Sequence, residues 1–446
     1  MTEPIVATRA DLPALWAGMQ RALTGGLARN SAWLMADKVL RLLGGLVVGA
    51  LIARHLGPDA YGLLSATLAT VGLLQALAGL GLDIVTVRAL TAQEHAPGTV
   101  LGTVLAFKLA AGGLTAALWV ALGARLALWS GVPTALVAVS APTLLWTALD
   151  VFDYWSQAQG RFGLLAVCRA VTYASLLVVR IGLLIAGAPV THFAAAAMLE
   201  VLIGGLILTV MVNRRGDRPS DWRVDRVVAA WLLRQSAPMW LSTIAVWTYL
   251  RVDQLLIANL LTTADLGRYA AAVRLAESWY FVPTSIVTAS FPALVQLRAR
   301  SFAEYVAGTE RLFRLLAGIG IGAGLAATVF APWIVGVLFG PAYVEATTAF
   351  QILAWSGLFA AWGVARENWL VAEGLTRYSP ITTALGAVVN IGLNVVLLPR
   401  FGIVAAAWTT IVAQLLVVSL AMGLWPETRP VLRMQLAALA IWRKRA

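Results

Sequence analysis

Two apolar stretches of the sequence carry aromatic and cationic side chains at a spacing that places them on one face of a helix. In the first, Arg251 follows Trp247, and in the second, Arg366 lies between Trp362 and Trp369. A guanidinium binds phosphate oxygens bidentately, and an indole offers an aromatic face on which a sugar ring stacks. The pattern therefore predicts a surface for a ligand with phosphate and sugars. The alternative is an aromatic belt with an interfacial arginine anchor. The two full series are Trp240, Thr243, Trp247, Arg251 and Gln254, and Trp355, Phe359, Trp362, Arg366, Trp369 and Glu373.

Acidic residues accompany other cations in the apolar stretches. Asp37 and Arg41 are four residues apart, and Arg274 and Glu277 are three apart, so each pair shares a helix face. An acid whose pKa depends on a neighbouring cation would couple ion binding to helix movement. The alternative is that each pair only neutralises itself. Asp253 lies off the face that carries Trp247 and Arg251.

The sequence offers no pattern for a metal, a nucleotide or an internal disulfide. The glycine run 318–322 lies inside an apolar segment with no preceding strand, which favours close helix packing. The single cysteine, Cys168, has no partner for an internal disulfide. We therefore expect no metal site, no resident cofactor and no ATP hydrolysis. The three histidines lie in separate connections, at His55, His95 and His192.

The composition is that of a membrane protein. Of 446 residues, 60% are hydrophobic and 12% are charged, about half the charge of a soluble domain. A spanning helix needs about 20 apolar residues, and such stretches recur along the chain. We predict an all-α polytopic membrane protein with 12 transmembrane helices, which excludes an ordinary soluble enzyme. The apolar segments are 32–54, 60–82, 99–122, 133–151, 163–186, 191–212, 230–259, 266–295, 312–339, 349–373, 379–398 and 402–424.

The basic residues between these segments predict the topology. Nineteen Lys and Arg residues fall on the side that holds both termini, and three, Arg54, Arg125 and Arg400, fall on the other. Cytoplasmic loops are rich in Lys and Arg, so both termini are expected in the cytoplasm. The net charge of +12 then marks the cytoplasmic face and needs no nucleic-acid partner.

A polar connection at residues 213–229 divides the predicted helices into two sets of six. Residues 51–66 align without gaps with residues 256–271, with six identities in 16 positions. Because the aligned segments lie six helices apart, the repeat is parallel, a plan found in transporters. We predict an interfacial amphipathic segment at 1–30, an N-terminal lobe at 31–212, a C-terminal lobe at 230–424 and a basic cytoplasmic tail at 425–446.

Several motifs, in their order along residues 30–425, resemble those of polysaccharide or O-antigen flippases, which belong to the multidrug/oligosaccharidyl-lipid/polysaccharide exporter superfamily. The first lobe opens with Ala53-Arg-His-Leu-Gly-Pro-Asp-Ala-Tyr-Gly62, Gly79-Leu-Gly-Leu-Asp83 and Val87-Arg88. The second lobe has Tyr249-Leu-Arg-Val-Asp-Gln-Leu-Leu256, Gly267-Arg-Tyr-Ala-Ala-Ala-Val-Arg-Leu275, Ala372-Glu-Gly-Leu-Thr-Arg377 and Leu398-Pro-Arg-Phe-Gly-Ile-Val-Ala-Ala-Ala-Trp408.

The resemblance implies two pseudo-symmetric six-helix lobes around a central cavity that opens alternately to each side. Its cargo would be an undecaprenyl-pyrophosphate-linked oligosaccharide, carried across a bacterial cytoplasmic (inner) membrane for surface polysaccharide synthesis. Membrane lipid, a polysaccharide polymerase and chain-length proteins are the expected partners. In some drug-exporting relatives an acid of the first helix takes part in ion coupling, and Asp37 is the nearest candidate.

We therefore expect a flippase rather than an enzyme, with site residues of two kinds. The alternatives are a cation-coupled drug or metabolite exporter of the same superfamily and a membrane polymerase of glycan assembly. The polymerase is disfavoured because the sequence has no catalytic acid pair and no large external loop. The expected substrate-binding residues are Arg41, Arg251, Arg274, Arg366, Trp247, Trp362 and Trp369. The candidates for H⁺ or Na⁺ coupling are Asp37, Asp253, Glu277 and Glu373.

Overall fold

The computed structural model describes residues 26–123, 132–214 and 222–440, with side chains from residue 44 onward. The described residues divide into two units, one that ends at Val47 and is helical, and one that begins at Val48. The side chains of Asp37 and Arg41, and those of the predicted amphipathic segment 1–30, lie outside the described residues. The contacts below all belong to the second unit.

The regular secondary structure of the described residues is helical throughout, which confirms the all-α prediction. The first half contains α1 Gly26–Gly79, α2 Leu82–Thr91, α3 Pro97–Gly123, α4 Thr134–Ser140, α5 Pro142–Trp146, α6 Asp150–Ala158, α7 Phe162–Ile185 and α8 Val190–Arg214. The second half contains α9 Arg226–Leu260, α10 Thr263–Glu277, α11 Phe281–Arg300, α12 Phe302–Leu338, α13 Ala346–Ala372, α14 Tyr378–Val418 and α15 Arg429–Leu439.

Nine helical stretches of the described residues are long and apolar enough to span a bilayer. Two of them, Gly44–Thr91 and Tyr378–Gly423, are about twice the length of one span. Each contains a glycine with a positive φ, Gly57 at 74° and Gly402 at 60°, where the helix direction changes. These two stretches therefore hold two spans each. With α9, whose 35 residues are also long enough to cross, the helices match the 12 predicted spans.

One helix begins well before its predicted apolar segment, and another lies outside all of the predicted segments. Helix α12 begins at Phe302, ten residues before the apolar segment, because the Ser301 hydroxyl caps it by accepting the Glu304 N–H. Part of the predicted basic tail forms α15, whose Val431 and Met434 side chains are buried. Hydrophobicity alone misses these turns since they lie at the polar ends of the bundle.

The aligned repeat segments pack against each other around a pair of equivalent glycines. A Cβ built on Gly62 would lie 1.9 Å from the Thr263 carbonyl oxygen, and one built on Gly267 would lie 2.0 Å from the Pro58 carbonyl oxygen. Pro58 and Thr263 are themselves separated by the repeat offset of 205 residues. The two contacts are therefore related by the repeat, and a pseudo-twofold axis runs between the glycines.

Polar contacts surround this pair of glycines. The Thr263 hydroxyl donates to Asp59 Oδ1 at 2.8 Å, which ties the turn after Gly57 to the start of α10. The Tyr343 hydroxyl donates to the Ala53 carbonyl oxygen at 2.7 Å. Burial raises the pKa of the Tyr343 hydroxyl above its ordinary value, so it remains a hydrogen-bond donor. The first and second halves are thus joined at this end.

Substitution of Gly267 by Ala should force the two halves apart, because no backbone shift within one helix relieves a 2.0 Å contact with a carbonyl oxygen. Overpacking of this kind costs roughly 1–3 kcal/mol. We expect a lower melting temperature of the purified protein in detergent. Gly182→Ala is the matched control, because nothing lies within 4 Å of a Cβ at that helical position. Equal melting temperatures for the two variants would contradict the close approach.

Candidate functional site

The side chains that project from the second half toward the first meet glycines of α1. A Cβ on Gly49 would lie 2.3 Å from Arg274 Cζ, and a Cβ on Gly72 would lie 2.8 Å from the Trp247 ring. The two glycines therefore leave the space that a guanidinium and an indole fill. The contacts place Arg274 of α10 against Gly49 and Trp247 of α9 against Gly72, so side chains of two separate helices both meet α1.

Arg251 and Glu277 form an ion pair one helical turn from these contacts, since Arg251 follows Trp247 by four residues and Glu277 follows Arg274 by three. Arg251 Nη1 and Nη2 each lie 3.5 Å from a Glu277 carboxylate oxygen, at the long limit of a charge-assisted hydrogen bond. Both side chains keep part of their surface accessible, 28% for Arg251 and 38% for Glu277. The pair is thus aligned but loosely held, so an anionic ligand could replace the carboxylate on the guanidinium. We call Gly49, Gly72, Trp247, Arg251, Arg274 and Glu277 the interface site.

Asp253 lies on the far side of α9, buried within the second half. Its carboxylate accepts hydrogen bonds from the Tyr269 hydroxyl and from the Gln254 N–H. The Tyr269 hydroxyl also lies 3.4 Å from Thr410 Oγ1. Asp253 is therefore separate from the interface site and ties α9 to α10 and α14.

Arg366 is buried rather than presented to a ligand. Its Nη1 donates to the Val417 carbonyl oxygen at 2.6 Å, and its Nη2 contacts the Glu367 carboxylate. Glu367 in turn accepts a hydrogen bond from the Ser379 hydroxyl at 2.8 Å. In this conformation Arg366 joins α13 to both ends of α14, and a role in headgroup binding stays a prediction.

The two tryptophans predicted beside Arg366 belong to the core of the second half. Trp362 Nε1 donates to the Phe313 carbonyl oxygen at 3.0 Å, and its ring meets the Phe313 ring edge to face. Trp369 is buried in the same cluster as Trp362. The residues do share one face of α13, but that face packs against α12 in the core. Glycan contact by these rings stays a prediction.

Glu373 lies at the end of α13, away from the interface site. Its two oxygens accept hydrogen bonds from Arg298 Nε and Nη2, at 2.8 Å and 3.3 Å. On α14, Asn394 donates from Nδ2 to the Asn390 side-chain oxygen at 3.0 Å. Of the sequence-predicted residues with described side chains, the interface site thus unites four: Trp247, Arg251, Arg274 and Glu277.

The structure also contains ion pairs of the first half that the sequence reading missed. Lys108 is buried in α3, where its Nζ donates to Asp150 Oδ2 at 2.8 Å and to the Thr147 carbonyl oxygen at 3.2 Å. Thr147–Leu149 is a 3-10 turn that interrupts the fourth span. Lys108 thus donates a hydrogen bond to the backbone at this interruption. The Tyr154 ring lies 5.1 Å from its ammonium. In the sequence, the one signal of this pair is a lysine inside an apolar segment.

A cavity of about 540 Å³ lies beside this pair, between α2 and α6. It is separate from the interface site. Its lining includes Asp83, Arg88, Tyr154 and Gln157.

Replacement of Lys108 by Met should destabilise the protein more than the double replacement Lys108→Met with Asp150→Asn. The single variant leaves a carboxylate without its cation, which costs about 3–5 kcal/mol for a fully buried pair. We expect about half of that, because 45% of the Asp150 side chain is accessible. Melting temperatures in detergent measure the difference. A double variant that is less stable than the single one would contradict the pairing.

The family of the chain follows from a comparison with known proteins. Residues 51–348 match the model of the family described as polysaccharide biosynthesis protein. The chain belongs to this family. The match includes every described residue of the interface site except Gly49, which lies two positions before it. The resemblance to polysaccharide flippases is thereby confirmed for the family.

Two relatives of the chain come from Haloferax volcanii. "Probable flippase AglR" is 26% identical over 193 residues, which cover 42% of this chain and 40% of that protein. "Probable low-salt glycan biosynthesis flippase Agl15" is 24% identical over 223 residues, 48% of this chain and 46% of that protein. The chain thus spans less than half the length of either relative.

A solved structure is similar over nearly the whole chain. "Lipid II flippase MurJ, inward closed conformation" superposes with a TM-score of 0.70 at 12% identity, over 92% of this chain and 91% of that one. At this identity the likeness concerns the fold. The chain is therefore a multi-pass membrane protein with the two-lobe helical fold that the sequence predicted.

Proposed function

We propose that this protein is a flippase, not an enzyme, which moves a lipid-linked oligosaccharide across a membrane. The relatives named as flippases support this proposal, as does the likeness of fold to a lipid II flippase. The finer cargo, an undecaprenyl-pyrophosphate-linked oligosaccharide for surface polysaccharide, belongs to the same proposal. The location in a bacterial cytoplasmic membrane, with both termini in the cytoplasm, is also part of this proposal.

The observation that carries the proposal is the pair of guanidiniums at the contact between the two halves. Arg251 and Arg274 lie on helices of one half, and Arg274 occupies the space above Gly49 of the other. A diphosphate needs such cations to leave water, since an uncompensated charge at membrane depth is costly. The loose Arg251–Glu277 pair supplies a guanidinium that exchanges its carboxylate for phosphate. Trp247 beside it offers a face to the first sugar.

Alternating access requires that the two halves separate at one end and close at the other. The repeat-related contact at Gly62 and Gly267 joins them at one end. In our proposal this end opens when the cargo reaches the opposite leaflet. Ion coupling by Asp37, Asp253, Glu277 or Glu373 would bias that equilibrium, with H⁺ or Na⁺ as the ion and no resident cofactor. Partner polymerase and chain-length proteins would receive the cargo.

Loss of the Arg274 guanidinium should abolish transport without unfolding the protein. We expect Arg274→Gln to reduce surface polysaccharide at least tenfold in a flippase-null strain, while its level in the membrane and its cooperative unfolding in detergent show that the protein still folds. Arg366→Gln should instead lower the melting temperature, because it loses the bond to the Val417 carbonyl oxygen. Arg234→Gln, at an exposed position of α9, is the control. Wild-type surface polysaccharide from Arg274→Gln would refute the site.

A disulfide between the repeat-related turns should stop transport reversibly. The Thr263 hydroxyl donates to Asp59 Oδ1 at 2.8 Å, so the two positions are neighbours at which a pair of cysteines is introduced. Cys168, which is buried, is first replaced by Ala. We expect oxidation of Asp59→Cys with Thr263→Cys to block flipping in proteoliposomes, and a reductant to restore it. Asp59→Cys alone is the control, and unchanged flipping in the fully crosslinked protein would exclude opening at this end.

A further inference from the structure

Helix α7 presents three different faces along its length. Four of its exposed apolar side chains, Val167, Val171, Val178 and Ile185, recur at steps of four and seven residues and so form one stripe. Val178 and Ile185 are 70% and 84% accessible, as expected for side chains that meet lipid acyl chains. A second stripe is buried against the rest of the first half and includes Leu165, Cys168, Thr172 and Leu176.

Two arginines lie on the third face, opposite the lipid stripe. At 100° per residue, Arg169 and Arg180 are each about 160° around the helix from the valine two residues away, Val171 and Val178. The arginines are eleven residues apart, which is three turns, so they lie one above the other about 16 Å apart. Each is held by a carboxylate of a neighbouring helix, Arg169 by Asp153 at 2.8 Å and Arg180 by Glu200 at 2.7 Å.

The contact of Arg180 leaves most of its donors unused. Its Nη2 is the atom that contacts Glu200, and among the described residues Glu200 is its one hydrogen-bond partner. A guanidinium has five N–H donors and favours a two-pronged contact with a carboxylate or phosphate. The side chain is 19% accessible, so its remaining donors are not enclosed by the described residues. At membrane depth, these donors require water or an anion.

Arg169 repeats this arrangement nearer the other end of α7. Its Nη2 contacts Asp153, whose other oxygen accepts a hydrogen bond from Gln157 Nε2. The carboxylate is therefore shared, and the guanidinium is the more accessible partner, at 62% against 21% for Asp153. Both arginines thus offer an open side while a carboxylate fixes their position.

We propose that this face of α7 binds the phosphate groups of the lipid-linked cargo, with Arg169 and Arg180 as two successive stations. The inference rests on the proposed flippase function and adds a surface of the first half to the interface site. Phospholipid headgroups share the phosphate chemistry. The position opposite the lipid-facing stripe favours the cargo, because a headgroup of the surrounding bilayer would approach from the other side.

Binding of undecaprenyl pyrophosphate to the purified full-length protein tests the assignment. Undecaprenol is the uncharged control and phosphatidylglycerol the competitor, at one fixed salt concentration because phosphate contacts are screened. We expect Arg180→Gln to weaken diphosphate binding at least tenfold and undecaprenol binding less than twofold. Glu200→Gln should tighten diphosphate binding, because it removes the competing carboxylate. Arg180→Lys keeps the charge but loses the bidentate geometry of the guanidinium, so it should weaken diphosphate binding three- to tenfold. This variant replaces Arg180→Gln in the test if the Gln variant is unstable.

The outcomes separate this inference from the proposed function. If Arg180→Gln and Glu200→Gln weaken binding equally, the pair is a structural tie and the inference fails. It also fails if Arg180→Gln binds the diphosphate like wild type, while the flippase proposal stands. Equal competition by phosphatidylglycerol assigns the face to bulk lipid and overturns the cargo assignment. If wild-type protein does not bind the diphosphate at all, both the inference and the proposed function are wrong.

Discussion

A charge in the hydrocarbon of a bilayer costs about 2.5–3.5 kcal/mol on insertion scales, so each must be paired or face water. The described helices meet this constraint in two ways. Lys108 and Arg366 are buried and use backbone carbonyl oxygens as well as carboxylates. Arg180 and Arg251 keep accessible surface and contact one carboxylate each. The first kind of pair fixes helices to each other, and the second leaves a cation that a ligand can reach.

Glycines of α1 leave the room in which side chains of the other half form a site between the two halves. Gly49 and Gly72 have no side chain, so Arg274 and Trp247 of the other half fill the space above them. Gly62 serves a different purpose, since it lets two backbones meet at the repeat-related contact. One helix therefore provides both the room for a ligand-binding side chain and the close contact that joins the halves.

The sequence was sufficient for the membrane fold, because the length of an apolar segment reports directly on its transfer into lipid. It was also sufficient to place Trp247 and Arg251 on one face. Periodicity was not sufficient for Trp362 and Arg366, since a helix face that packs against α12 has the same spacing as one that faces a cavity. The Lys108–Asp150 and Arg180–Glu200 pairs join residues 42 and 20 positions apart, which spacing within one helix does not reveal.

The geometry of the ion pairs also limits which residues can respond to a ligand. Arg366 would have to leave the Val417 carbonyl oxygen and Glu367 before it could bind a phosphate, and that would leave buried acceptors without partners. Arg251 would give up two contacts of 3.5 Å with a carboxylate that is itself partly accessible. The smaller cost lies with Arg251, so a phosphate that enters between the halves displaces Glu277 first. In the proposed function, the released carboxylate would then be free to take up a cation, which would link binding of the cargo to the charge at the contact between the halves.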